Sequence, residues 1–236
     1  TLGHSTSASE GIVGAAEIES RPLLRTGEIL EFVPGMIVTQ HSGSGKANQY
    51  FLRGFNLDHG TDFNTRVDGM PVNMRTHGHG QGYTDLNFLI PELIGEIRYA
   101  KGAYYPEVAD FSGAGAAQLL LADQLPHNQV GVTLGEYGYQ RLVATQELNT
   151  DMGRFIWGGE AQTYDGPWTD IDEDVSKISV VGRYLTRLGE GDLSVTMMAY
   201  DNSWNSADQI PARAVDSGLI DFYGSLDKDV GGESNR

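Results

Sequence analysis

The side chains best suited to bind a metal or an anion lie in one glycine-rich segment, RTHGHGQGYTD. One residue separates His77 from His79, so in an extended chain both imidazole rings point to the same side. Neutral imidazoles ligate borderline metals such as Zn²⁺, and they also hydrogen-bond anionic chelates. Asp58 and His59 are candidates for further ligands, although the sequence fixes no third or fourth ligand. The alternative is an ordinary surface loop whose polar residues bind no ligand.

Other short motifs resemble known catalytic or ligand-binding motifs, but each lacks residues that the chemistry requires. The serines of HSGSG and DFSGAG do not follow the G-x-S-x-G order of a nucleophile elbow. GSGK lacks the flanking residues of a phosphate-binding loop, and DIDED lacks the glycine and distal glutamate of a calcium loop. We therefore expect no enzyme, no cofactor and no dedicated metal site. A metal-dependent hydrolase using His77, His79 and Asp85 is an alternative hypothesis.

Composition excludes one class of partner and favours a turn-rich fold. The 236 residues include 32 acidic and 16 basic ones, giving a net charge of −16, whereas nucleic-acid binding needs clustered Lys and Arg. The 31 glycines are spread along the chain and favour tight turns over helices. There is no cysteine, and no apolar run approaches the roughly 18–20 residues of a membrane-spanning helix.

The first half of the chain predicts a mixed α+β domain. Residues 1–21 are small and polar, and we expect them to form a lead-in with a short strand or helical turn. Short β-like runs between residues 36 and 125 alternate with glycine-rich loops. Within one of them, Asp68-Gly69 is a tight-hairpin signal because glycine adopts positive φ at little cost.

Two helical turns are expected in this domain. The first covers Glu28–Phe32, with Thr26 as its N-cap. The second lies around Asp85–Leu93, where four apolar residues would share one face: Leu86, Leu89, Ile90 and Leu93.

The pattern changes after Pro126, where five runs with period-two alternation are joined by short and long connections in turn. Transmembrane β-barrels show this rhythm because their periplasmic turns are tight and their external loops are long. In RFIWGGEAQTY the alternation sets Phe155 and Trp157 on one face and Glu160 on the other. The face with Phe155 and Trp157 suits contact with lipid, and the face with Glu160 suits a water-filled barrel interior.

A soluble β-sandwich gives the same alternation, so the strand pattern leaves a second class of protein open. The alternative is a secreted or surface β-rich carbohydrate-binding module. Its stacking platforms would be Trp157, Trp168 and Trp204.

Four motifs occur in a characteristic order: NQYFLRGF, RVDGMPVN, ELIGEIRYAKG and FSGAGAAQLLL. Together with the hairpin-like runs that follow them, they resemble the plug of TonB-dependent outer-membrane receptors. The resemblance implies an α+β plug at residues 22–126, followed at 127–236 by the start of a transmembrane antiparallel β-barrel. The family's barrel has about 22 strands, of which about five are expected here. Ser203–Arg236 would be an external loop that ends before its return strand, and this chain alone should neither insert nor transport.

The resemblance also implies a function and partners. It implies TonB-energised uptake of a scarce nutrient, most often an iron-siderophore or other metal chelate, by a receptor in the outer membrane of a Gram-negative-type cell. The implied partners are TonB, the chelate and outer-membrane lipid. The positions that match cargo-binding plug loops are Arg53, Arg75, His77, His79, Gln81 and Tyr83.

Arg53 has a second interpretation, in which it pairs with a barrel carboxylate and locks the plug in place. Two further loops, at residues 41–48 and 104–111, are additional candidates for cargo contact.

Overall fold

A computed structural model describes residues 2–40, 42–108, 110–229 and 231–236. The chain forms two compact units. The first comprises Thr1–Gln40 and Ala47–Leu125, and the second comprises His41–Lys46 and Pro126–Arg236. Within the described residues, no helix combines the length and the apolar character needed to cross a membrane.

The first unit contains nine strands and four short helices among its described residues. The strands are β1 (His4–Ser5), β2 (Glu10–Gly14), β3 (Met36–Thr39), β4 (Gln49–Leu52), β5 (Phe55–Asn56), β6 (Phe63–Val67), β7 (Met70–Pro71), β8 (Ile94–Lys101) and β9 (Gly115–Leu121). The helices are α1 (Ala15–Ser20) and three 3₁₀ helices, Thr26–Phe32, Pro91–Leu93 and Pro106–Val108.

The main sheet of the first unit has the order β1-β2-β8-β9-β6-β7, and β3-β4-β5 form a smaller sheet. β6 and β9 run parallel, while the other pairs are antiparallel. Alternate residues of β9 are buried, and Ile97 of β8 and Leu119 of β9 are fully buried. Because side chains alternate across a strand, this periodicity places one face of the sheet in the core. The α+β architecture predicted for this part of the sequence is confirmed.

The expected lead-in is part of this sheet. β2 pairs with β8 from Glu10↔Ala100 to Gly14↔Glu96, and α1 follows it directly. Residues 10–14 therefore contribute a strand that lies next to the centre of the sheet. The pairing joins segments that are far apart in sequence, so local composition could not indicate it.

The hairpin signal is confirmed, and a second glycine allows a close approach between strands. Asp68 and Gly69 have φ values of 47° and 80°, as a tight turn between β6 and β7 requires. Gly115 has φ of 142°, and a Cβ there would lie 2.4 Å from the Ala100 oxygen. A larger residue at position 115 would separate β9 from β8.

The two helical expectations need correction. The first helix is a 3₁₀ helix that begins at Thr26, with Arg25 at the N-cap position. Around Asp85–Leu93 only the three residues from Pro91 are helical, because proline forces Ile90 into an extended conformation with φ −109° and ψ 104°. The apolar residues of that segment are nevertheless buried: Leu86, Leu89, Ile90 and Leu93.

One buried side chain connects the loops of the first unit. The Asn73 amide nitrogen lies 2.9–3.1 Å from the carbonyl oxygens of Gly60, Phe63 and Gly82, and Asn73 Oδ1 accepts the Thr65 N–H at 2.7 Å. Asn73 is 7% exposed. The amide therefore fixes strand β6 and two glycine-rich loops relative to one another.

The second unit is an antiparallel meander of six strands in sequence order. They are β10 (Gln129–Leu134), β11 (Gln140–Thr150), β12 (Gly153–Tyr164), β13 (Val175–Leu188), β14 (Gly191–Ser206) and β15 (Gly232–Asn235). Tight turns follow β11 and β13, and longer loops follow β12 and β14, the latter loop containing the helix α2 (Ala212–Asp216). The five predicted barrel-like strands and their loop rhythm are confirmed as an open, partial barrel sheet.

The expectation for Ser203–Arg236 is wrong in one respect. β14 continues to Ser206, and β15 returns to pair with it from Ser206↔Gly232 to Ser203↔Asn235. This sixth strand reads GESN, which is short and polar. It carries no apolar alternation, so the pattern that identified the other strands is absent from it.

One face of this sheet carries a continuous apolar surface, which we call the apolar face. Strand register aligns its residues in rows across the sheet, for example Leu142, Ala161 and Ile178. Most of its large side chains are exposed, including Val180 (48%) and Met197 (75%). The other members are Val130, Val132, Leu148, Phe155, Trp157, Leu193 and Val195.

The opposite face is buried and combines charged side chains with apolar ones such as Val143, Ile156 and Val181. The Glu160 carboxylate, 1% exposed, forms ion pairs with Arg141 of β11 and Lys177 of β13. A buried carboxylate needs such partners because desolvation penalises an unpaired charge by several kcal/mol. The sheet thus buries charged side chains on one face and exposes large apolar side chains on the other, whereas a soluble sheet exposes its charges.

Asn73→Ala should lower the free energy of unfolding by about 3 kcal/mol, because it leaves buried backbone groups without their partner. Asn149→Ala is the matched control, since Asn149 is exposed on β11 and hydrogen-bonds the side chains of Glu147 and Arg154, with no buried backbone group among its partners in the described residues. Thermal unfolding of the two variants measures the difference. Equal melting temperatures would show that Asn73 does not hold the loops.

Candidate functional site

The histidine loop is a closed hairpin. The Met74 N–H donates to the Tyr83 oxygen at 2.9 Å, and the Gly82 N–H donates to the Met74 oxygen at 2.7 Å. These bonds close the loop of residues 75–82, which we call the histidine loop. It is rich in glycine and has little apolar surface, so hydrogen bonds must hold its shape.

A second loop, residues 57–62, is bonded alongside the histidine loop. The Thr84 N–H donates to the His59 oxygen at 2.7 Å, and the Thr61 hydroxyl donates to the Gln81 oxygen at 2.6 Å. Gly60 makes the close approach possible, since a Cβ there would lie 2.4 Å from Thr84 Oγ1. The two loops therefore form one bonded surface with defined side-chain positions.

Asp58 has a left-handed backbone conformation, with φ of 46°. Its N–H donates to Asn56 Oδ1 at 2.9 Å, which stabilises the turn. Asp and Asn tolerate this conformation better than most residues. The turn directs the Asp58 carboxylate toward two imidazoles.

Asp58, His59 and His79 bring three potential metal ligands together. His59 Nε2 lies 3.8 Å from Asp58 Oδ1, and His79 Nε2 lies 3.7 Å from Asp58 Oδ2. All three ligand atoms lie within 4.8 Å of one another. Among the described residues, this is the one such group of three His, Cys, Asp or Glu side chains. It can bind a cation or, with protonated imidazoles, hydrogen-bond an anion.

The three side chains differ in exposure. The His59 side chain is 1% exposed, whereas those of His79 and Asp58 are 34% and 47% exposed. The site therefore opens to solvent on the side of Asp58 and His79 and is closed behind His59.

Hydrogen bonds fix the tautomer of His59. Its Nδ1 lies 2.8 Å from the Ala47 oxygen and 3.0 Å from the Asn48 oxygen. Both partners are carbonyl acceptors, so Nδ1 carries the proton and the neutral ring keeps its lone pair on Nε2. That is the nitrogen that faces Asp58 and His79.

Tyr83 supports all three histidines. Its ring centroid lies 3.9 Å from that of His77, stacked at 10°, and 5.3 Å and 6.0 Å from those of His59 and His79. The Tyr83 hydroxyl accepts the Ala47 N–H at 3.0 Å. Tyr83 is 4% exposed, so it acts as a fixed wall behind the histidine loop.

The H-x-H spacing does not place both imidazoles in the ligand group. His77 stacks on Tyr83, and its Nδ1 accepts the His79 N–H at 3.1 Å. His77 therefore positions the backbone of His79, and His59 from the other loop takes the place that the spacing suggested for His77.

The remaining predicted cargo residues divide between two places. Arg75 and Gln81 lie in the histidine loop and are exposed, with Arg75 Nη2 3.7 Å from Asp110 Oδ2. Arg53 lies in the β4–β5 turn, at the opposite end of β4 from Asn48. Its guanidinium donates to the Ala8 oxygen at 3.2 Å and to Ser9 Oγ at 3.3 Å. The structure does not bring Arg53 to the histidine loop.

The hydrolase hypothesis does not match this arrangement. Asp85 is buried, and its Oδ1 accepts the Asn87 N–H at 2.9 Å. Burial, with the Asp85 carboxylate as the next cause, raises the pKa of the neighbouring Tyr50 hydroxyl far above its usual range. Asp85 is thus part of a buried polar network and lies outside the group formed by Asp58, His59 and His79.

The three tryptophans do not share a stacking platform. Trp157 lies on the apolar face, with its Nε1 donating to Gln146 at 3.0 Å. Trp168 contacts Tyr223 edge-on at 6.0 Å, whereas Trp204 is 8% exposed and packs over Gly45. A buried Trp204 offers no face to a sugar.

Of the two further loop candidates, His41 and Ala109 lie outside the described residues. Residues 42–46 belong to the second unit, where the Ser42 hydroxyl donates to Asp208 at 3.0 Å and the Ser44 N–H donates to Glu173 at 3.2 Å. Tyr104 is 75% exposed.

Comparison with known proteins identifies the same architecture. Residues 4–116 match the family model for the TonB-dependent receptor plug domain. A ferric enterobactin receptor mutant of Pseudomonas aeruginosa (PfeA) matches with TM-score 0.62 at 15% identity, over 86% of this chain and 34% of that chain. The pyoverdine receptor FpvA of P. aeruginosa PAO1 matches with TM-score 0.65 at 17% identity, over 85% and 28%.

A copper transporter, OprC, matches with TM-score 0.62 at 14% identity, over 87% of this chain and 35% of that chain. At these identities the matches establish the fold. The chain spans about a third of the length of the solved structures that it resembles.

His77→Ala should loosen the histidine loop, because it removes both the stacking on Tyr83 and the acceptor for the His79 N–H. We expect backbone amides of residues 75–82 to exchange hydrogen at least about tenfold faster, the equivalent of 1.4 kcal/mol of local stability. Thr76→Ala is the control in the same loop, where Thr76 is exposed. If the amide hydrogens of residues 75–82 exchange equally fast in both variants, His77 does not position the loop.

Proposed function

We propose, from the match of residues 4–116 to the TonB-dependent receptor plug domain, that this chain is part of a TonB-dependent receptor and serves in TonB-energised uptake of a scarce metal-containing nutrient across the outer membrane. TonB and outer-membrane lipid are the proposed partners. The family consists of receptors and transporters, and the proposal includes no catalytic step.

The observation that carries the proposal is the polarity of the second unit, which directly follows a plug domain in the chain. Its apolar face exposes rows of Val, Leu, Ile, Met and aromatic side chains over five neighbouring strands. In water such a surface would be an aggregation liability, whereas in hydrocarbon it is stable. An exposed apolar face therefore favours a lipid-facing sheet over a soluble β-sandwich.

The opposite face supports the same proposal. The ion pairs of Glu160 with Arg141 and Lys177 lie on the side that a barrel turns toward its interior. A soluble sandwich exposes its charged face, so a sheet that buries these charges and exposes apolar side chains argues against the carbohydrate-binding alternative. The separated tryptophans, of which Trp204 is buried, argue against it as well.

We propose that the histidine loop contacts the cargo. Five of the six predicted residues, Arg75, His77, His79, Gln81 and Tyr83, belong to this loop or close it, and the loop lies against Asp58 and His59. Of the five, His79 is the proposed direct contact, while His77 and Tyr83 hold it in place. The predicted role of Arg53 gains no support from its position beside Ala8 and Ser9.

A metal-containing cargo fits the donor chemistry of these loops. Imidazole and carboxylate are metal ligands, and the histidine loop with residues 57–62 concentrates them at one place. The structures with the same fold include receptors described as ferric enterobactin and pyoverdine receptors and a copper transporter.

A growth experiment tests the proposed function. A strain lacking the gene, kept under metal limitation, is supplied with single metal sources and complemented with the full-length protein in cells with and without TonB. We expect at least one source to restore growth only when both proteins are present. Growth that is independent of TonB for every source would contradict the proposal.

Val180→Arg should impair assembly in the outer membrane, because a charge at the centre of a lipid-facing surface costs about 2–4 kcal/mol. Ser176→Arg is the matched control: it lies on the same face of β13, four residues nearer the strand end, where the cost falls to about 0–1 kcal/mol. Heat-modifiable mobility of the full-length protein in membrane fractions measures assembly. If both variants assemble like the parent, the apolar face does not face lipid.

A further inference from the structure

We propose that Asp58, His59 and His79 form a binding site for a borderline divalent cation such as Zn²⁺, Co²⁺, Ni²⁺ or Cu²⁺. The evidence for the site itself is the geometry of the two loops. The identification of this cation as the cargo rests on the proposed function.

The donor set selects the class of metal. Two imidazole nitrogens and one carboxylate oxygen suit borderline cations, whereas Ca²⁺ and Mg²⁺ take oxygen ligands. The same combination, two His and one acidic residue, holds zinc in sites that keep one position open. The chain has no cysteine, so thiolate does not compete in setting the preference.

The distances lie within reach of coordination. Ligands placed about 2.0–2.1 Å from a tetrahedral ion are about 3.3 Å apart, and the closest pairs here measure 3.7 Å and 3.8 Å. The three ligand atoms lie within 4.8 Å of one another, so closing the site needs shifts of up to about 1.5 Å. The exposed side chains of Asp58 and His79 can make these shifts, while His59 is fixed in the core.

The surroundings of His59 are those of a metal ligand. Metal-ligating histidines almost always donate the other ring N–H to a carbonyl or carboxylate, which fixes the ring and raises its basicity. His59 does so with the carbonyls of Ala47 and Asn48. Its Nε2 is thereby presented to the same point that Asp58 and His79 face.

The backbone conformation of Asp58 has a reason in this site. A non-glycine residue at φ of 46° stores backbone strain, and such strain concentrates at ligand-binding positions. The neighbouring His59 is held by its hydrogen bonds, so the left-handed turn at position 58 is what brings the carboxylate back over the imidazole.

The site restricts the chemical form of the cargo. Three protein ligands leave room for water or a cargo donor, so the bound cation must arrive with open coordination positions. A ferric siderophore that fills every position of Fe³⁺ offers none, and Fe³⁺ prefers oxygen donors. The geometry therefore points to a free or partly chelated divalent cation.

The test is direct binding to the full-length protein purified in detergent. Co²⁺ is titrated and its visible d–d absorption is recorded, after which Zn²⁺ is added as competitor. We expect one equivalent of Co²⁺ with the intense bands of low coordination number, displaced by Zn²⁺. His79→Ala and Asp58→Asn should each weaken the affinity at least about tenfold, and His4→Ala, an exposed histidine of β1, should leave it unchanged.

Asp58→Asn keeps the fold testable, because asparagine adopts positive φ as readily as aspartate. Unaltered Co²⁺ affinity and spectra in both variants would overturn the site, as would the absence of any saturable binding to the parent. The growth experiment distinguishes the metal site from the proposed function. If growth is independent of TonB while Co²⁺ binding is intact, the proposed function is wrong and the metal site stands. TonB-dependent growth on a saturated ferric chelate, with no Co²⁺ binding, removes the site and leaves the function.

Discussion

The carboxamide of Asn73 is the contact on which the candidate site depends. It joins the carbonyls of Gly60 and Gly82, one from each loop, and anchors both to β6 through Phe63 and Thr65. Glycine-rich loops lose much conformational entropy on ordering and bury little apolar surface in return. Buried hydrogen bonds in a low-dielectric environment are the compensating interaction, and they also specify a single geometry. This buried link acts together with the hydrogen bonds of Thr61 and Thr84, which also hold Asp58 next to His79.

The strands were largely predictable from the sequence, and the site was predictable only in part. The Asp68-Gly69 turn and the alternation in β12 depend on neighbouring residues, so their signals are local. The meeting of His59 with His79 depends on a contact between segments twenty residues apart, which no spacing rule encodes. The H-x-H spacing pairs His79 with His77, whereas the structure groups His79 with His59, because the spacing rule assumes an extended strand and the chain forms a closed hairpin. The pairing of β2 with β8 and the polar strand β15 escaped prediction for the same reason: each is defined by its partner strand.

The second unit shows how charge can be buried and still be stable. Glu160 lies on one face between Arg141 and Lys177, supplied by the two neighbouring strands. Removing one cation would leave a desolvated carboxylate under-compensated, which typically costs more than the pair contributes when intact. The register Val143↔Glu160↔Ser179 places these three side chains on the same face. The same register puts the exposed apolar residues, such as Val180 and Met197, on the other face, so a one-residue slip would send charges to the apolar side. The difference in polarity between the two faces therefore favours this strand register over a register shifted by one residue.

A site that takes part in transport must release what it binds, and the distribution of ligands over two loops suits that need. His59 is held in the core by hydrogen bonds to two carbonyl oxygens, and Asp58 is its neighbour in the sequence. His79 comes from the histidine loop, whose attachment to residues 57–62 consists of a few hydrogen bonds around Gly60, Thr61 and Thr84. Parting these bonds would withdraw one of three ligands and leave the other two in place. Under the proposed metal binding, a two-ligand site with an exposed carboxylate would hold a borderline cation less tightly, so displacement of the histidine loop would favour release.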